Sequence, residues 1–134
     1  VADHMRKVVD RIPDGQGGYE CVYADVNTVN VLGTEYTVSF VSEQDEPRLK
    51  DCDGFCDETT KEIVVENYKR GEPDSKGKLE LQEQKNLRHE IVHAFLCESG
   101  LAENSEWATN EEMVDWVAKQ GPKLIRAWQE AGAL

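Results

Sequence analysis

The spacing of apolar positions changes once along the chain, dividing it into an extended half and a helical half. In "TVNVLGTEYTVSFV", residues 28–41, β-branched and aromatic residues alternate with polar ones on either side of Leu32-Gly33-Thr34, which predicts two strands joined by a turn. "GFCD" at 54–57 and "KEIVVENY" at 61–68, separated by Glu58-Thr59-Thr60, predict a second hairpin. "KRGEPDSKGK" is then a polar loop, punctuated by Pro73 and two glycines. After it the period lengthens. From 79 to 99, Leu87, Ile91, Val92, Phe95 and Leu96 recur at three and four, as on one buried stripe of a helix, and Gly100 supplies its stop. "NEEMVDWVAKQ" predicts a second helix ending near Gly121, and Pro122 suits the first turn of a third running to about Ala131. Strands first and helices after predict an α+β domain, with helices packed on one face of a small, mainly antiparallel sheet.

The first residues do not join this pattern. Residues 1–23 are polar and carry the loop signal "PDGQGG", so a loose N-terminal arm is expected there, with the domain proper over 24–134. The opening "VADH" looks like a cloning remnant ahead of Met5. A length of 134 residues supports one core and not two.

A net charge of −12 repels phosphate backbones, and the cations at Lys69, Arg70, Lys76, Lys78 and Lys85 are interspersed with acids, so no nucleic-acid partner is expected. No run approaches the roughly 18 apolar residues of a membrane span, and no signal-like segment opens the chain. A cytoplasmic protein with no membrane partner is the expectation. Cys21, Cys52, Cys56 and Cys97 are accordingly expected as reduced thiols. The C-x3-C spacing of "DCDGFCD" lacks the second pair that a structural zinc requires.

Chemistry concentrates in the longest predicted helix, where His89-Glu90-Ile91-Val92-His93 holds two of the chain's three histidines. Residues four apart on a helix lie about 6 Å apart along its axis and on nearly the same side, so both imidazoles can converge on one ion. Glu90, one position round, can reach a water on that ion's open side, which is why H-E-x-x-H on a helix reads as a zinc hydrolase site. A catalytic zinc needs one more protein ligand and a free position. Cys97 continues the histidine line but stands about 12 Å from His89, too far for the same ion, and is expected in the core. Glu98, Glu103 and Glu106 stay open as ligands. In the next helix the apolar face centres on Met113, Val114, Val117 and Ala118, which puts Glu111 at its edge, able to face the first helix, and Glu112 in water. Asp115, one turn beyond Glu111, is placed to accept a hydrogen bond from a ligand histidine's other nitrogen.

His89-Glu90-x-x-His93 followed by Asn110-Glu111-x-x-x-Asp115 resembles the gluzincin pattern of zinc metallopeptidases. "EEMVDWVA" is similar to the third-ligand helix of small ImmA/IrrE-like and phage-type members, with Asp115 where asparagine is common. The resemblance covers about residues 86–118. It implies a minimal zincin-like fold and one zinc per chain, with His89, His93 and Glu111 as ligands, Glu90 as general base and Asp115 orienting a histidine. Such enzymes commonly use a tyrosine or histidine on the oxyanion, and no motif chooses among Tyr19, Tyr23, Tyr36 and Tyr68. Their substrates usually lie along a sheet edge beside the motif helix, and "KEIVVEN" is either that edge or an ordinary interior strand. The function expected is hydrolysis of a peptide bond in a peptide or protein. A zinc-containing interaction module without catalysis is the alternative.

Overall fold

The computed structural model describes the backbone of residues 5–13, 15–68 and 79–134, and the side chains of 13, 15–18, 27–68 and 79–134. The expectations for residues 1–4 and for the loop at 69–78 lie outside the described residues. Five strands, β1 (Met5–Pro13), β2 (Tyr19–Val31), β3 (Thr34–Val41), β4 (Gly54–Asp57) and β5 (Glu62–Glu66), precede the helices α1 (Leu79–Glu98), α2 (Leu101–Asn104) and α3 (Glu111–Glu130). The class is α+β, as the change of period predicts. The sheet order is β1-β2-β3-β5-β4, with β3 and β5 parallel and the other three pairings antiparallel.

Both expected hairpins are present. In the first, Leu32 and Gly33 take φ of 51° and 92°, the left-handed pair that matches the twist of two-residue hairpins. The Asn30 side chain closes this turn by accepting from the Gly33 N–H at 2.9 Å. In the second, Asp57 Oδ1 accepts from the backbone of Thr59 at 3.0 Å and of Thr60 at 3.3 Å.

Three expectations are corrected. Within the stretch expected as a loose arm, residues 5–13 and 19–23 are strand, because β1 pairs antiparallel with β2, and residues 15–18 lie between the two strands. The boundary at 24 therefore falls inside β2. Backbone pairing to the next strand orders a segment whose polarity alone argues for disorder.

The strand "KEIVVEN" is interior rather than an edge. After β3 the chain passes through the 3-10 turn Pro47–Leu49 to β4 on the outside, then returns as β5 between β4 and β3. Three consecutive buried residues, Ile63, Val64 and Val65, record this, since an interior strand covered on both faces loses its alternation.

The third correction concerns Pro122, which lies inside one continuous α3 and does not open a new helix. Proline has no N–H to offer the carbonyl four residues back, here that of Ala118. Arg88 of α1 supplies the missing donor, its Nε lying 2.6 Å from Ala118 O. Gly121 helps, since it has no Cβ to meet the proline ring.

The core explains why α1 sits where it does. Leu87, Ile91 and Ala94 pack against Val31, Tyr36, Val38, Ile63 and Val65 of the sheet. Val92 and Leu96, about 100° or more round the helix, pack on Met113 and Val114 of α3 and on Ala108. α1 is thus held from two sides, and the expected single stripe is split in two, with Phe95 left 40% exposed between them. The remaining arc of α1, from Lys85 and His89 round to Glu90, faces a cleft between α3 and the outer edge of β4.

Candidate metal centre and its cleft

The cleft has a volume of about 550 Å³. Its floor is α1 from Lys85 to Cys97, one wall is Glu111 and Asp115 of α3, and the other is the run of residues 52–56. Side chains in a strand alternate between faces, so five consecutive residues line the cleft through the strand's edge. β4 ends the sheet and has β5 as its neighbour among the described residues. The Glu66 N–H donates to Asp53 O at 2.9 Å, which fixes the phase of the ladder. Phe55 and Asp57 then turn their backbone groups toward β5, and Gly54 and Cys56 turn theirs outward.

The capped start of α3 brings Glu111 into position. Asn110 accepts from the Met113 N–H at 2.8 Å and sets the first turn, so that Glu111 emerges opposite the histidines. Its two carboxylate oxygens each meet one imidazole: His89 Nε2 lies 2.9 Å from Oε2, and His93 Nε2 lies 2.9 Å from Oε1. Glu112 does not line the cleft. Asp115 Oδ1 stands 3.4 Å from His89 Nδ1. The other acids left open point elsewhere. Glu98 accepts from Tyr36 Oη at 2.7 Å, Thr34 Oγ1 at 3.2 Å and Lys61 Nζ at 2.7 Å, while Glu103 and Glu106 are exposed outside the cleft.

The donor set fits a zinc-type ion. One ligand atom from each of His89, His93 and Glu111 lies within 4.8 Å of the others. Both ring nitrogens of His89 face carboxylate oxygens, yet a neutral imidazole has one N–H to donate. A cation held by the two Nε2 atoms and Glu111 would resolve this, because Nδ1–H could then donate to Asp115 while Nε2 offered its lone pair. Two nitrogens and a carboxylate oxygen are the ligand types of catalytic zinc sites. The Glu111 side chain is 68% exposed, which leaves one side of the cluster open to solvent.

Glu90 lies on the sheet side of the same turn and is buried. Burial drives its carboxyl up, the Glu111 charge adds to this, and His89 and Lys85 oppose it, leaving the group pushed up to about 7. It fits against β4 because residue 54 is glycine. A Cβ there would stand 3.4 Å from Glu90 Cγ, 3.5 Å from Glu90 Oε2 and 2.9 Å from Val64 O. Asp115 is the opposite case, a carboxylate held down to about 2 by Lys119 at 2.9 Å and, against its partial burial, by Lys85 at 3.2 Å.

Sequence reasoning missed three residues at this site. Gly54 had a signal, since glycine within a strand marks close approach of another group. Lys85 had a weaker one, standing one turn before His89 on the same helical line. Asn86 had none: it is buried, lines the cleft and donates from Nδ2 to Tyr68 Oη at 2.9 Å.

Of the four tyrosines, Tyr36 is fully buried and tied to Glu98, Tyr68 has its hydroxyl hydrogen-bonded to Asn86 and Asp53 of the lining, and the side chains of Tyr19 and Tyr23 are outside the described set. No tyrosine lines the cleft among the described residues. Cys52, Cys56 and Cys97 are free thiols on its lining. Burial pushes Cys56 up to about 12 and Cys97 up to about 11, so both are protonated near neutrality and neither is an activated nucleophile. Among the described residues no helix is long and apolar enough to cross a membrane.

Comparison of the chain with protein-family models, with curated proteins and with solved structures finds no match.

Proposed function

We propose that the protein is a zinc-dependent metallopeptidase of gluzincin type, with a minimal zincin-like fold, acting on a peptide or protein. One observation carries the reading: the Nε2 atoms of His89 and His93 converge on the Glu111 carboxylate, with Glu90 buried alongside on the next position of the helix. When bound by His89, His93 and Glu111, zinc supplies Lewis acidity and lowers the pKa of water at its open position. Asp115, whose Oδ1 lies 3.4 Å from His89 Nδ1, would favour the tautomer that leaves Nε2 free for the ion. Glu90 takes the proton of the attacking water and passes it to the departing amine. Its burial against Gly54 keeps the carboxylate close to the cleft and poorly solvated, which suits a base that must return its proton. The outward backbone groups of Cys56 and the outward Gly54 carbonyl offer an extended peptide an edge to pair with, so β4 is the substrate-binding edge in place of "KEIVVEN".

A zinc-containing interaction module is the second reading, favoured by the lack of a tyrosine on the cleft among the described residues. The test is a cleavage screen of a proteome-derived peptide mixture with zinc-loaded protein. Peptide hydrolysis that a chelator abolishes and added zinc restores supports the peptidase. Intact peptides in every condition favour the module.

A further inference from the structure

The cleft holds four acids, Asp53, Glu90, Glu111 and Asp115, and one lysine or arginine, Lys85, among the described residues. Lys85 precedes His89 by one turn, so its Cα lies about 6 Å from that of His89 along the axis, well within the reach of a lysine side chain. Its ammonium is part-buried, 3.2 Å from Asp115 Oδ1. That oxygen is also the one beside His89 Nδ1. Asp115 does not depend on Lys85 for a counter-charge, because its second oxygen is 2.9 Å from Lys119 Nζ. Lys85 can therefore leave Asp115 without stranding a carboxylate, and its three donors can turn toward whatever enters the cleft. Lys119 cannot take this place, since it is not on the lining.

We propose that Lys85 is a further catalytic residue, whose ammonium binds the oxyanion of the tetrahedral adduct in the place that a tyrosine or histidine fills elsewhere. The proposal rests on the metallopeptidase reading. In the step it serves, the water oxygen forms a bond to the scissile carbonyl carbon, the carbonyl π pair moves onto oxygen, and the water's proton goes to Glu90. The anion so formed meets Lys85 as it develops. When the adduct collapses, the C–N bond breaks, the carbonyl re-forms, and the proton held by Glu90 goes to the amine. Lys85 donates hydrogen bonds throughout and ends in its starting state. A donor aimed at charge that appears only in the transition state acts on kcat, and removing one typically lowers it ~10²–10³-fold.

The test compares the full-length protein with Lys85→Met and Lys85→Arg, both zinc-loaded. Four quantities are read: zinc content, kcat and KM on the best peptide from the screen, and affinity for methylphosphonate, a tetrahedral anion, by calorimetry. The expected result is unchanged zinc content in both variants and a fall of roughly 10²-fold or more in kcat for Lys85→Met with KM little altered. Methylphosphonate should bind Lys85→Met at least ~10-fold more weakly, with much of that affinity kept by Lys85→Arg. If the native protein holds zinc but cuts no peptide, the metallopeptidase reading fails and the proposal falls with it. Loss of zinc in Lys85→Met would show that the lysine serves Asp115 and His89, and would overturn the proposal. Unchanged kcat or unchanged anion affinity would overturn it while leaving the metallopeptidase reading intact. A native protein that binds no zinc would remove both.

Discussion

Replacing Arg88 by Met keeps most of the aliphatic stem and removes the donor that α1 lends to α3. The Ala118 carbonyl then has no partner: Pro122 lacks the N–H that would serve it in an ordinary helix, and Ala118 is 1% exposed. A hydrogen bond from a charged donor contributes about 1.5–3 kcal/mol, so Arg88→Met should cost about 2 kcal/mol, or roughly 5–10 °C of Tm at this chain length. The partner variant is Pro122→Ala, which restores a backbone N–H facing Ala118 O. In that background Arg88→Met should cost about 1 kcal/mol or less, giving a coupling near 1 kcal/mol in a double-mutant cycle. Urea unfolding of the four proteins measures it. Because Arg88 neighbours His89, and Asp115 lies one turn before Lys119 on the same face, the loosened α1–α3 contact should also weaken zinc binding in Arg88→Met and spare it in the double variant. Additive costs, within about 0.5 kcal/mol, would refute the claim that Arg88 compensates for the proline.

Further outcomes follow from the same geometry. Glu111→Gln should lose most zinc affinity while Glu112→Gln keeps it, read by competition with a chromogenic chelator, since Glu111 alone of the two meets the histidines. Gly54→Ala should lower stability by about 1–3 kcal/mol in urea and slow peptide cleavage, because the new methyl meets Val64 O and displaces Glu90. Glu98→Gln should destabilise at neutral pH, and the deficit should vanish in acid. Lys61, Tyr36 and Thr34 hold the Glu98 carboxyl below its ordinary 4.5, so its contribution is complete above that value and is lost as pH falls through the lowered pKa. Melting curves of both proteins from pH 7 to 3 would show this convergence.

Local pattern carried the hairpins, α1 and the phase of Glu111, because each depends on neighbours in sequence: the alternation around Gly33, the recurrence of Leu87 and Ile91, the cap at Asn110. The errors are all cases where a distant partner decides. Pro122 reads as a helix start until Arg88, far earlier in the chain, is seen beside Ala118. "KEIVVEN" reads equally as edge or interior until the parallel pairing with β3 is known. Residues 5–13 look loose until β2 is laid against them. At the site, the shared side of His89 and His93 and the neighbouring position of Glu90 follow from helical spacing, whereas Gly54 matters through a contact with Glu90 that spans two elements.

The central claim is that Glu90 moves a proton during peptide hydrolysis. Its most direct test is cleavage of one screened peptide by native protein and Glu90→Gln, each first shown to carry equal zinc and to melt at the same temperature or higher. The reading predicts equal zinc, because Glu90 is not among the converging ligand atoms, and a rate lowered ~10²–10⁴-fold. Equal cleavage rates by the two zinc-loaded proteins would contradict it.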